Sequence, residues 1–313
     1  MAVLEVKNLN LGFECEDSFK QALFDVSFEL ERGKMHALVG ESGCGKTISA
    51  MSILKLLPKT AKITSGEILF EGADLPELSE KEMQKIRGAK IALIPQDPMT
   101  ALNPLYTVGN QIMEVIETHR NGQSAFEKAV EALERVHIPC AKDRMKSYPH
   151  EFSGGMKQRA IIAMALACSA QILIADEPTT ALDVTIQAQI MKLLNEIKPE
   201  TAILLITHDL ALVSENADFV SVMYAGRVVE SAPAHNFFQN PNHPYSLALL
   251  SSLPAAGAAK LETICGQPPS IHQEISGCRF HPRCKKCMEI CTKEIPPVYE
   301  VGKNHYSACF LNK

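Results

Sequence analysis

Three short stretches of this chain carry side chains suited to phosphate chemistry. The first is Gly40-Glu41-Ser42-Gly43-Cys44-Gly45-Lys46-Thr47. Its glycines let successive backbone N–H groups turn toward phosphate oxygens, and the start of the following helix adds its dipole. Lys46 is suited to reach β- and γ-phosphates, and the Thr47 hydroxyl to ligate Mg²⁺. The second is the apolar run Ile172-Leu173-Ile174-Ala175, which ends in Asp176 and Glu177. A carboxylate closing a buried strand is expected near the Thr47-bound metal; without the phosphate loop the pair would read as solvated strand-end acids. Between them lies Phe152-Ser153-Gly154-Gly155-Met156-Lys157-Gln158-Arg159. Ser153 is a natural N-cap for a helix starting at Gly154, and a helix N-terminus also suits an anion.

Such residues need a scaffold that brings strand ends together. Met35 to Val39 reads as a strand feeding the loop, and Thr47 to Leu57 as the helix leaving it. Ile91–Ile94, Ile172–Ala175 and Ile203–Ile206 are short apolar runs of the kind buried in a parallel sheet. Each leads into a polar residue, as expected at the carboxyl ends of strands in open α/β sheets. Residues 1–30 hold strand-like runs (Leu4 to Val6, Val26 to Leu30) between polar turns, consistent with an antiparallel edge sheet. Between Gln96 and Ser153 the spacing becomes helical, over Val108 to His119 and Ala125 to Val136, and predicts an inserted helical subdomain. Ile186, Ile190, Leu193 and Ile197 share one face of a later helix. Beyond about Glu230, prolines 233, 241, 244, 254, 268 and 269 punctuate the chain, predicting an appended region with few strands.

A chain of 313 residues exceeds one typical domain. Its net charge of −5 gives no basic footprint for nucleic acid. No signal sequence opens it, and the longest apolar stretch, Ala160 to Ala175, is interrupted by Ser169 and Gln171 and is too short to span a bilayer. Membrane work would therefore run through a partner. Of ten cysteines, Cys15, Cys44, Cys140, Cys168 and Cys265 are scattered and read as small buried hydrophobes. Cys278, Cys284, Cys287, Cys291 and Cys309 crowd the end of the chain. In a reducing cytosol that cluster reads as a metal site rather than disulfides. By spacing alone zinc, an iron–sulfur cluster and free thiols stay equally open.

The Ser153-Gly154-Gly155 element between a phosphate loop and an acid-ended strand resembles the signature of the ATP-binding cassette (ABC) family. Met156 stands where Gln is usual and Phe152 where Leu is usual, both familiar from peptide-importer cassettes. The resemblance to dipeptide, oligopeptide and nickel importer ATPases covers nearly the whole chain. It rests on Pro95-Gln96-Asp97-Pro98-Met99-Thr100-Ala101-Leu102-Asn103-Pro104, Ala175 to Thr185, His243-Pro244-Tyr245-Ser246 and Gly277-Cys278-Arg279-Phe280-His281-Pro282-Arg283-Cys284.

The resemblance implies an α/β fold: a P-loop NTPase cassette with a RecA-like parallel-sheet core, an antiparallel edge sheet and an inserted helical subdomain. It implies a cassette over residues 1–230, with the helical subdomain about 97–165, and a cysteine-bearing extension over 231–313. The nucleotide would be ATP with Mg²⁺ held by Thr47, Asp176 and Gln96. Glu177 would polarise the attacking water, His208 would hold the γ-phosphate, and Phe13 would stack on adenine, with Phe19 and Phe24 as neighbouring candidates. Gly40, Ser42, Gly43, Cys44, Gly45 and Lys46 would cradle the phosphates. Ser153, Gly154 and Gly155 would contact ATP bound to an opposite cassette, with Asp183 at the seam. Gln96 would also touch a membrane partner. Cys278, Cys284, Cys291 and Cys309 would hold a structural [4Fe–4S] cluster remote from every ATP motif, with zinc as the alternative through Cys287.

The implied partners are a second related cassette, two transmembrane permease subunits and an extracytoplasmic solute-binding protein, at the cytoplasmic face of the cell membrane. The implied function is to power import of di- or oligopeptides. The alternatives are a nickel or other small-solute importer and a soluble non-transport ABC ATPase. Against the soluble forms, the interval from Gln96 to Ser153 is too short for the coiled coil of DNA-repair versions, and a single cassette is present where translation versions usually carry two.

Overall fold

Met35–Val39 is buried at every position, as an apolar run leading into a phosphate loop should be. A computed structural model describes residues 2–16, 18–119, 124–180, 182–252 and 264–313, without the side chains of Pro98 and Met99. Those two side chains of the Gln96 segment, and Ala181 of the segment ending at Asp183, lie outside the described residues. The strands among them are β1 (Ala2–Cys15), β2 (Ser18–Glu31), β3 (Met35–Val39), β4 (Ala61–Phe70), β5 (Ala73–Asp74), β6 (Ile91–Ile94), β7 (Ile172–Asp176), β8 (Ala202–Thr207), β9 (Phe219–Tyr224), β10 (Arg227–Pro233), β11 (Tyr299–Gly302) and β12 (His305–Ser307). The chain divides into two compact units. One holds Glu31–Lys34 and Glu77–Ile206, the other Ala2–Leu30, Met35–Pro76 and Thr207–Lys313.

In the first unit, β6 and β8 flank β7 in parallel. These strands are nearly all apolar and carry Asp176 at the end of β7. Helices surround the sequence between β6 and β7. Val108–His119 buries Val108, Ile112 and Ile116 at four-residue spacing, and Ala125–Arg135 buries Ala129, Ala132 and Leu133. Gly154–Leu166 and Val184–Ile197 follow.

In the second unit, β1, β2, β4 and β5 form an antiparallel sheet in the order β2-β1-β4-β5. Strand β2 ends with the expected alternation, Val26, Phe28 and Leu30 buried against exposed Ser27 and Glu29. Strand β3 pairs in parallel with β9, and β10 and β12 continue antiparallel from β9. The helix after the loop spans Lys46–Ile53, shorter than the expected run to Leu57. Lys55 takes a left-handed φ of 50°, which stops the helix before Pro58.

Beyond Glu230 the described residues add two short strands: β11 pairs with β12, and β12 with β10. The region departs from expectation in its cysteines. Among the described residues, no three His, Cys, Asp or Glu side chains are grouped so as to hold a metal ion. The [4Fe–4S] cluster on Cys278, Cys284, Cys291 and Cys309 is therefore withdrawn, and zinc with it. All five clustered cysteines are free, with Cys291 and Cys309 buried and Cys287 exposed. Burial pushes the Cys278 thiol up to about 11 and raises Cys284 and Cys309 as well, so these groups are packed as neutral thiols.

Hydrogen bonds and aromatic packing do the stapling instead. The Cys278 N–H donates to the Cys291 carbonyl at 2.8 Å. The Glu230 carboxylate is buried and accepts from Asn242 N, His243 N (both 2.8 Å) and His305 Nε2 (2.7 Å). Phe280 packs edge-on against Tyr224 at 5.1 Å and tilted against Tyr245 at 5.3 Å.

Candidate nucleotide-binding and hydrolytic residues

The second unit carries the phosphate loop. Strand β3 delivers the chain into residues 40–45, and Lys46 opens the helix. Ser42, Gly43 and Thr47 are exposed, while Cys44 is buried and its thiol raised by that burial. Gly43 has a φ of +78° and no atom within 4 Å of the space a Cβ would fill, so the loop presents bare backbone there. Lys46 is only 5 % exposed. Its ammonium folds back over the loop, donating to the carbonyls of Gly40 (2.7 Å) and Glu41 (3.0 Å). A glycine loop exposed at Ser42 and Gly43, with an ammonium folded against its carbonyls, fits a polyphosphate.

His208 is exposed in the bend after β8. Of the three aromatic candidates for adenine, Phe24 is covered by guanidinium groups, Arg279 at 4.2 Å and Arg227 at 5.5 Å from its centroid. Phe19 lies over Gly12, where an added Cβ would come within 2.4 Å of its ring. Phe13 is half-buried.

The first unit carries the acids. Asp176 is 2 % exposed at the end of β7. Glu177 leaves the strand with a left-handed φ of 48°, and its N–H donates to the Ile206 carbonyl at 2.8 Å. A non-glycine residue in this region is uncommon and marks a position the surrounding structure holds. Glu177 Oε2 accepts from Gln96 Nε2 at 3.2 Å and from Thr180 Oγ1 at 2.9 Å. The structure thus brings Gln96 and Glu177 together and adds Thr180, which sequence reasoning missed. A hydroxyl three residues past the acid was the available signal.

Ser153 caps the helix Gly154–Leu166, its hydroxyl accepting from Met156 N at 3.3 Å. Ser153 and Gly154 stay exposed beside that cap. Asp183 caps Val184–Ile197 in the same way, through Ile186 N at 3.0 Å. Gln158, from the signature helix, donates to the Pro178 carbonyl at 2.8 Å and so ties that helix to the Glu177 turn.

Comparison with known proteins assigns this arrangement. Residues 23–180 match the ABC transporter family, and residues 229–291 match the oligopeptide/dipeptide transporter C-terminal region. The chain belongs to the ABC transporter family. Over 316 residues it is 48 % identical to the oligopeptide transport ATP-binding protein OppD of Escherichia coli, covering 99 % of this chain and 93 % of that protein. It is likewise 48 % identical to the dipeptide transport ATP-binding protein DppD of Bacillus subtilis, covering 99 % and 94 %. Among solved structures it resembles a dimeric post-hydrolysis state of the cassette MJ0796 bound to ADP and Pi. That match has a TM-score of 0.65 at 28 % identity, over 74 % of this chain and 98 % of the other. The chain from Clostridium perfringens described as part of the complex cbiONQ matches with a TM-score of 0.65 at 28 % identity, over 79 % and 93 %.

As an ABC cassette the chain is an ATPase using ATP and Mg²⁺, and membership in the family implies membrane permease partners. No helix among the described residues is long and apolar enough to cross a membrane.

Proposed function

We propose that this cassette powers an importer of di- or oligopeptides, working from the cytoplasmic face of the cell membrane. Its partners are then a second related cassette, two transmembrane permease subunits and an extracytoplasmic solute-binding protein. The observation that carries this reading is identity of 48 % to peptide-transport ATPases along nearly the full chain, C-terminal region included. No observation favours nickel as the cargo. On this reading residues 1–230 are the ATPase domain, with the helical subdomain about 97–165, and 231–313 the peptide-permease extension.

The residue roles follow from motif and local geometry. Backbone N–H groups of residues 40–45 receive the phosphates and Lys46 neutralises their charge, leaving its parking place on Gly40 O and Glu41 O. Phe13 stacks on the base. Thr47, Asp176 and Gln96 are the residues that would hold Mg²⁺, which would supply positive charge against the phosphates. Glu177, oriented by Gln96 and Thr180, accepts the proton of the attacking water. His208 holds the γ-phosphate. Ser153–Gly155 of one cassette contact ATP on the other, with Asp183 at the seam, so closure is a population shift driven by ATP. Co-purification of the tagged chain with membrane permease subunits, followed by ATP-driven uptake of a labelled dipeptide into vesicles, tests the proposal. Uptake of nickel but not peptide, or absence of any membrane partner, would overturn it.

A further inference from the structure

Glu41, inside the phosphate loop, is held at both its backbone and its side chain by residues from the C-terminal region. Its N–H donates to the Tyr245 hydroxyl at 3.0 Å. Its carboxylate receives a two-point guanidinium contact from Arg283, Nη1 to Oε2 at 2.6 Å and Nη2 to Oε1 at 3.0 Å. Such forked pairing fixes orientation as well as charge. The Arg283 side chain is 6 % exposed and that of Glu41 26 %. Arg283 is itself anchored, donating through Nε to the Cys265 carbonyl at 2.9 Å. Tyr245 is fully buried against Tyr224, with ring centroids 4.7 Å apart.

Two physical consequences meet at this clamp. Glu41 puts a negative charge in the loop that must receive a polyphosphate, and at low effective dielectric such a charge is repulsive over several ångströms. Arg283 cancels it. The Glu41 carbonyl is also one of the two that hold the Lys46 ammonium, at 3.0 Å. Whatever positions Glu41 therefore sets where Lys46 waits for phosphate.

We infer that Arg283 and Tyr245 are positioning residues for ATP, through which the C-terminal region neutralises Glu41, presents Lys46 and sets the loop's affinity for phosphate. The inference rests on the proposed nucleotide role of this loop.

The test is binding of fluorescent ATP and ADP analogues to the purified full-length chain. Arg283→Gln should weaken ATP binding about tenfold, because the uncancelled Glu41 carboxylate then repels the phosphates at low effective dielectric. It should weaken ADP binding less, because the exposed Glu41 charge acts on the charge of the ligand. Arg283→Lys should restore much of the ATP affinity. Combining Arg283→Gln with Glu41→Gln should recover most of it too, since the unmatched carboxylate is gone. Tyr245→Phe, which removes only the acceptor of Glu41 N–H, should weaken ATP and ADP about equally. Should Arg283→Gln fold poorly, the Arg283→Lys protein and the double variant still carry the comparison. Equal losses for ATP and ADP in Arg283→Gln, or no recovery in the double variant, would overturn the inference by reducing the pair to a structural contact. Lys46→Ala is the separate control: if it leaves ATP binding intact, the nucleotide reading of the loop fails instead.

Discussion

Gln96 Nε2 donates to Glu177 Oε2 at 3.2 Å, joining the segment that follows β6 to the acid that follows β7. Thr180 Oγ1 reaches the same oxygen at 2.9 Å. The carboxylate is therefore oriented by a side chain on each side, on a backbone held at φ 48°. A base that must take a proton from one water benefits from such fixing before the substrate arrives.

Thr180→Val removes one of those hydrogen bonds without changing the shape of the turn. Losing a hydrogen bond to a charged group should cost about 1.5 kcal/mol. That corresponds to a roughly tenfold lower kcat, with KM for ATP unchanged. Steady-state ATP hydrolysis by the assembled transporter measures it. A rise in KM at unchanged kcat would place Thr180 in nucleotide binding instead.

The two signature glycines should respond differently to alanine. A Cβ at Gly155 would come within 2.8 Å of Ile186 Cγ2, whereas at Gly154 the nearest atom is Leu182 Cδ2 at 3.7 Å. Gly155→Ala overpacks the contact and should lower stability by about 1–3 kcal/mol. Gly154→Ala should leave the melting temperature near wild type, so that any loss of ATPase in it reports on nucleotide contact alone. Thermal melts of both variants separate the effects.

Two buried histidines make stability depend on pH. Burial lowers His36 to about 4 and His243 to about 3. The His36 Nδ1 lies 3.0 Å from the Glu29 carbonyl, which can only accept, so the ring donates there and Nε2 accepts from the Ser221 hydroxyl at 2.9 Å. His243 Nδ1 accepts from Tyr245 N at 3.0 Å. Below about pH 6.5 the unfolded chain takes up protons that the folded one refuses, so stability falls with pH. The contribution is complete above about pH 6.5 and is lost progressively toward pH 4 for His36, by about 3 kcal/mol. Denaturant melts between pH 7 and 4.5 should show this, with a shallower slope in His36→Gln.

Glu230 is the buried acceptor that ties β12 and the 242–243 turn to β10. Glu230→Ala leaves those donors without a partner and should cost at least about 3 kcal/mol. Limited proteolysis should then cut the C-terminal region before the rest of the chain.

The residues proposed for nucleotide could be picked out from sequence because each motif is a local pattern: a glycine-rich turn before a helix, an acid at a strand end, a serine before two glycines. The strands β3, β6, β7 and β8 were legible as short apolar runs, and the helix Val108–His119 by its three- and four-residue apolar spacing. The Glu41–Arg283 pair spans 242 residues, and no local period announces a contact of that range. Cysteine spacing alone left zinc, an iron–sulfur cluster and free thiols open, and it was the resemblance that pointed to a cluster; a metal needs ligands grouped in space, and no such group occurs among the described residues. The runs of β11 and β12 are too short to announce themselves, since β12 is held by its pairing with β10 and β11 by its pairing with β12.

The central claim is ATP-driven peptide import through Glu177. Hydrolysis and peptide uptake by the assembled transporter in vesicles, wild type against Glu177→Gln, test it most directly. The variant should still bind ATP but hydrolyse it about 10²–10⁴-fold more slowly, the usual worth of a positioned base, with uptake lost in parallel. Hydrolysis and uptake near the wild-type rate in Glu177→Gln would contradict it.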